Sequence, residues 1–171
     1  MTFSTDQLTA FWDIKDVESL DYIYEPFNDD ETKAKWKQQY NLDFSTGWQA
    51  DYRSIQPSWT HKILGELSSL GYKLTNAGTS FYKMLPGDIL PYHSDTFARY
   101  SNKFEVAPES VSRIIVFLQD WQPGFLFEID GVPINQYSAG QFVHWKYNAP
   151  HMAGNLGSVP RYTLQVTGVI Q

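Results

Sequence analysis

Hydrophobic and polar positions along the chain follow two different rhythms. In the first 70 residues the spacing is helical. Asp29 to Tyr40 opens on acidic residues, continues on basic ones and sets Trp36 and Tyr40 four apart, which predicts a helix. From Pro57 a second helix is expected. Ser58 is its candidate cap, Ile63, Leu64, Leu67 and Leu70 form its apolar stripe, and it ends near Gly71. A short helix within Asp6–Val17 and a short strand at Tyr22–Tyr24 complete this part, with residues 41–56 as loop. From residue 72 the period shortens to that of strands. Segments are expected at Tyr72–Leu74, Ser80–Leu85, Ile89–His93, Ser112–Gln119, Phe125–Ile129, Val132–Tyr137, Gln141–Trp145 and Arg161–Ile170. Asp130-Gly131 between two of them is a type I′ hairpin signal. Strands with turns every 8–12 residues describe a β-sandwich or jelly roll. The expected architecture is α+β but mainly β, with the N-terminal helices packed outside. One domain is expected over 1–171, with 1–75 as helical support and 76–171 as a jelly-roll core.

Composition narrows the function classes. The 171 residues are 42% hydrophobic and 16% aromatic, enough for a real core and unlike a disordered chain. Cysteine is absent, so a metal site must use His, Asp, Glu or backbone oxygen. The net charge of −6 argues against a nucleic-acid partner held by overall attraction to phosphate. No apolar run approaches a membrane span, and the opening Met1–Asp6 has neither a basic nor an apolar leader segment. A cytoplasmic location is the expectation, with a small molecule or peptide as partner; oligomeric state is not legible.

The chemistry gathers around Pro91-Tyr92-His93-Ser94-Asp95. In a strand, residues i and i+2 share a face, so His93 and Asp95 can grip one ion. With 4 His and 19 Asp+Glu in the chain, a chance His-x-acid pair has odds of roughly two in five, so the pair decides nothing alone. His151 lies 58 residues on, a distance that a jelly roll closes. Two imidazoles and one carboxylate leave coordination positions open, which suits non-haem Fe(II) with a co-substrate and O₂. Arg161 follows His151 by ten residues, with Thr163 on the same strand face; a guanidinium is the natural partner of a carboxylate. Among only 4 Arg, one at that offset has odds of about one in forty, which makes coincidence a poor account of the set.

His93-x-Asp95, His151 and Arg161-x-Thr163 resemble the Fe(II)/2-oxoglutarate-dependent dioxygenases, whose catalytic fold is a double-stranded β-helix. The resemblance covers about residues 80–170. Ala139–Val143 is similar to the strand opening before that family's distal histidine, and Asn155 to the asparagine often found four residues after it. Leu85-Pro86-Gly87 through Pro91-x-His93 looks like the corresponding strand of prolyl hydroxylases and aspartyl/asparaginyl β-hydroxylases. Asp95 departs from the latter branch, which typically lacks the carboxylate, and from halogenases, which vacate the position for a halide.

The resemblance implies that His93, Asp95 and His151 hold Fe(II) and that Arg161 and Thr163 hold the distal carboxylate of 2-oxoglutarate, with Tyr82 as a further donor. It implies hydroxylation of an amino acid, peptidyl side chain or small metabolite, with release of succinate and CO₂. Trp145 and Phe117 are expected as apolar walls, His144 and His61 as structural or surface residues, and Arg113 at the rim, facing a substrate or co-substrate carboxylate in its sharper role. Residues 96–110 read as a loop, with a substrate lid carrying Arg99 and Lys103 as the sharper alternative. Competing functions are a cupin-like metalloenzyme that does not use 2-oxoglutarate and a jelly-roll binding module.

Overall fold

A computed structural model describes residues 2–27, 29–41 and 43–171. Met1 of the leader reading, Asn28, and Leu42 of the 41–56 loop lie outside the described residues. Two antiparallel sheets face each other. The larger has seven strands, in the order β1 (Phe3–Gln7), β9 (Gln141–Lys146), β6 (Val111–Phe117), β11 (Arg161–Ile170), β4 (Leu74–Met84), β3 (Trp48–Ala50) and β2 (Ile23–Tyr24). The smaller has four, in the order β5 (Ile89–His93), β10 (His151–Asn155), β7 (Phe125–Ile129) and β8 (Val132–Pro133). This is the double-stranded β-helix, mainly β with few helices. No helix of the described residues is long and apolar enough to cross a membrane.

β6 explains why the core has two layers. All seven of its residues are buried, so both of its faces are covered. Ile114 and Val116 turn outward and pack with Phe81, Leu164 and Val166 under Val17 of α1 (Ile14–Glu18) and Ile63 and Leu67 of α3 (Thr60–Ser69). Ile115 and Phe117 turn inward, between the sheets, with Phe125, Phe127, Ile129 and Trp145. β11 alternates instead: Arg161, Thr163, Gln165 and Thr167 share one face.

The N-terminal third is more than helical support, because β1, β2 and β3 complete the large sheet. β1 ends at Gln7, overlapping only the start of the Asp6–Val17 stretch expected to hold a helix; four of its five residues are exposed, and it is held by backbone pairing to β9. An edge strand needs no apolar face, so periodicity does not reveal it. The helix contracts to α1, capped by Asp13, whose side chain accepts from the Lys15 amide. α2 (Asp30–Tyr40) matches its expectation, with Asp29 accepting from the amides of Glu31 and Thr32. α3 starts at Thr60 behind Trp59 with no side-chain cap, so Ser58 does not cap it, and Leu70 is exposed. The expected breaks at 75–79 are one continuous strand, β4, with Asn76 at φ 52 beside a register shift opposite Thr167 and Val169. Val132–Tyr137 shortens to β8, where Pro133 supplies no amide for a ladder and Gln136 turns the chain at φ 56. Asp130 and Gly131 both have positive φ (54 and 77), as a type I′ turn requires.

Asn155 ties the small sheet to the start of β11. It is fully buried, donates to the carbonyls of Met84 and Val159 at 2.8 Å each and accepts from the Gly157 amide at 3.0 Å. Asn155→Ala leaves the buried Met84 carbonyl without this donor, so chemical denaturation is expected to register a loss of roughly 1–3 kcal/mol.

Candidate metal centre

The two histidines are presented by the same local device. His93 ends β5 and His151 begins β10, and they face each other in register. His93 Nδ1 lies 2.9 Å from the Pro91 carbonyl, and His151 Nδ1 lies 2.9 Å from the Ala149 carbonyl. A carbonyl only accepts, so each Nδ1 carries the proton and each Nε2 keeps its lone pair for a metal. Asp95 follows β5 directly. One of its oxygens is 4.0 Å from His93 Nε2 and the other 3.9 Å from His151 Nε2. Ligand atoms of the three residues all lie within 4.8 Å of one another, so small ring turns bring them onto one ion.

Electrostatics prepare the triad for coordination. Burial pushes His151 down to about 4 and lowers His93 as well, against the opposing pull of Asp95. Both shifts favour the neutral imidazole, the form that can ligate a metal. Burial raises the Asp95 carboxyl, but Arg113 and the two histidines outweigh it and hold the group below the usual carboxylate range. Arg113 Nη2 donates to Asp95 Oδ2 at 3.0 Å.

Aromatic walls stand on two sides. Trp145 packs against His151 with ring centroids 4.8 Å apart. On the other side Phe27 stands 5.0 Å from His93 and Trp36 6.1 Å, with Trp36 Nε1 donating to the Tyr92 carbonyl. The helix α2 thus braces the strand end that carries His93. Inside lies a cavity of about 260 Å³, lined among others by the triad, Arg113, Arg161 and Thr163. It adjoins a wider depression of about 570 Å³, bordered by Asp51, Tyr52 and Arg99.

Arg161 lies at the inner end of the β11 polar face, only 3% exposed. Its Nε donates to Tyr137 Oη at 3.3 Å, its Nη1 meets Met84 Sδ, and its buried Nη2 has no partner. The rings of Phe117 and Phe127 stand 5.8 and 5.9 Å from its guanidinium carbon. No carboxylate pairs with it among the described residues. A buried cation without a counter-ion is costly. Thr163 is buried two residues along the same face.

Tyr82 also lines the cavity, but its hydroxyl donates to the Thr46 carbonyl at 2.7 Å, so its proton is committed to the chain itself. Gly47 makes this possible: a Cβ there would lie 2.7 Å from the tyrosine ring. Tyr137 stacks on Phe117 with centroids 3.7 Å apart and is the phenol that reaches Arg161. Nothing in the sequence marks it. Arg113, expected at the rim, is buried and bonded to a ligand carboxylate; its parity with Ile115 and Phe117 on β6 is the signal that places it inward. His144 points away from the site, toward Tyr72 and Ser4, and His61 is exposed. Residues 98–104 are not loop but a short helix, α4 (Ala98–Phe104), between two left-handed residues, Phe97 (φ 51) and Glu105 (φ 53). Arg99 borders the outer depression, while Lys103 sits over the rings of Phe104 and Tyr52.

No protein-family model matches the chain, and no curated protein sequence does. Solved structures do. The non-haem α-ketoglutarate-dependent carbocyclase SnoK from nogalamycin biosynthesis superposes with a TM-score of 0.61 at 9% identity, covering 98% of this chain and 79% of its own. A Pseudomonas putida prolyl-4-hydroxylase superposes with a TM-score of 0.57 at 16% identity, covering 99% and 93%. At these identities the shared property is the fold, a double-stranded β-helix matched along nearly the whole chain. Fold and donor set together define a candidate mononuclear metal site on a jelly-roll scaffold.

Proposed function

We propose that the chain is a non-haem Fe(II)- and 2-oxoglutarate-dependent oxygenase that hydroxylates an amino acid, a peptidyl side chain or a small metabolite, releasing succinate and CO₂. The observation that carries this reading is Arg161, a buried guanidinium with an unpartnered N–H and no counter-ion among the described residues, in the same cavity as a His-Asp-His donor set. A cupin-like enzyme that does not use 2-oxoglutarate has no need of it.

The donor set fits ferrous iron: two neutral imidazoles and one carboxylate, with room beside them for further ligands. His93, Asp95 and His151 would hold the ion. The chemistry supplied by iron when bound is activation of O₂, coupled to oxidative decarboxylation of 2-oxoglutarate. The chain's own residues do the rest. Arg161 pairs with the distal carboxylate of the co-substrate, and the Thr163 hydroxyl donates to it. Tyr137 keeps the guanidinium turned into the cavity. Trp145, Ile115 and Phe127 supply apolar wall that excludes water and strengthens those charged contacts.

The test is anaerobic addition of Fe(II) and then 2-oxoglutarate. A weak visible charge-transfer band is expected only with both present, and in air succinate should accumulate. Absence of the band together with absence of succinate would sink the proposal.

A further inference from the structure

The cavity holds a second buried guanidinium that the co-substrate leaves unused. Arg113 is 8% exposed and spends Nη2 on Asp95, while Nε and Nη1 are buried with no partner. Its cross-strand neighbour Trp145 likewise has a buried, unpartnered Nε1–H. Arg113 borders both the inner cavity and the outer depression, as Asp95 does. We propose that Arg113, with Trp145 beside it, receives a carboxylate of the primary substrate, which is therefore an organic acid entering from the outer depression. The proposal rests on the oxygenase reading above.

Three observations converge on it. The unpartnered groups are all donors, so they call for an acceptor, and a carboxylate satisfies a guanidinium edge better than any neutral group. Formal charge points the same way. Fe(II), Arg113 and Arg161 against Asp95 leave three positive charges, an imidazole ligand counting as neutral. 2-Oxoglutarate neutralises two of them, and one carboxylate neutralises the last. Finally, the two arginines reach the one cavity from well-separated backbone positions. Arg113 lies opposite Thr167 in register and Arg161 opposite Met84, so six residues of β11, about 20 Å of strand, separate their anchor points. A five-carbon diacid seated on Arg161 leaves Arg113 for another anion. The Phe97 ring, 5.0 Å from the Arg113 guanidinium carbon, helps fix its orientation.

A purely structural role, holding Asp95 in place, is the alternative, and the test separates the two. Wild-type protein loaded anaerobically with Fe(II) and saturating 2-oxoglutarate is titrated calorimetrically with acetate and propionate, and with acetamide and propionamide as neutral controls. The carboxylates are expected to bind about 10- to 100-fold more tightly than the amides. Arg113→Met should abolish that preference, and Arg113→Lys, which keeps the charge but loses the fork, should reduce it at least about 3-fold. If Arg113→Met does not fold by circular dichroism, the lysine variant decides. Three results would overturn the proposal: equal binding of acid and amide by the wild type, a preference that survives in the variants, or a loss of 2-oxoglutarate affinity in Arg113→Met as large as in Arg161→Met. If the wild type binds no 2-oxoglutarate, the oxygenase reading fails by itself. The acid-to-amide ratio of the iron-loaded protein still reports on Arg113.

Discussion

Arg161→Met is expected to weaken 2-oxoglutarate binding by about 30-fold to several thousand-fold, because truncating one partner of a desolvated charge pair costs roughly 2–5 kcal/mol. The distal carboxylate lies away from the reacting atoms, so the loss should appear in KM for 2-oxoglutarate with kcat much less affected. Stability should move the other way. Without its anion, Arg161 is a buried cation with no counter-ion among the described residues, so a methionine of similar length relieves desolvation beside Met84, Phe117 and Phe127. The variant's Tm without ligand is expected to equal or exceed that of the wild type. The wild type alone should then gain Tm when 2-oxoglutarate and a ferrous ion are added. A variant that loses both Tm and co-substrate affinity would mean that Arg161 is part of the core instead.

Asp95→Ala is the second large effect. Its carboxylate is one of three candidate ligands and also the acceptor for Arg113. Fe(II) affinity, measured by anaerobic calorimetry, should fall more than about 100-fold, beyond the 10- to 100-fold typical of outer partners. Asp95→Asn separates the two roles: its side-chain oxygen still accepts from Arg113, but its charge is gone. Metal binding should fall nearly as far as in the alanine variant, while thermal stability stays closer to that of the wild type. Equal metal binding in all three proteins would remove Asp95 from the site.

The parts of this architecture legible in the sequence are those whose cause is local. Ile114–Phe117 of β6 is an unbroken apolar run because both faces of the strand are covered, and β11 alternates because one of its faces lines the cavity. His93 and Asp95 are close in sequence and so close in space, although β5 ends at His93 and Asp95 lies just beyond it, outside the strand parity that the sequence suggests. The parts that escaped depend on strand register. Tyr137 meets Arg161 across 24 residues, and Arg113 meets Asp95 from the facing sheet. Tyr82 lies on the expected wall, but the close approach of the Gly47 segment diverts its hydroxyl to Thr46. β1 is mostly polar and exposed, and only its partner β9 identifies it as a strand.

The anchoring of each imidazole to the carbonyl two residues before it has a consequence for how such a site can diversify. Ring direction at His93 and His151 is written into three consecutive residues of each chain segment, Pro91–His93 and Ala149–His151. That hydrogen bond uses no other side chain, while Trp145 and Phe27 pack against the ring faces. Part of the outer depression, in contrast, is bordered by stretches remote in sequence from both, such as Asp51-Tyr52 and Gly78–Ser80. Those borders can be exchanged while the aim of the two nitrogen lone pairs stays fixed. Under the proposed reading, selectivity and metal coordination are then separable traits, and a redesign of that part of the entrance leaves the His-Asp-His donor set unchanged.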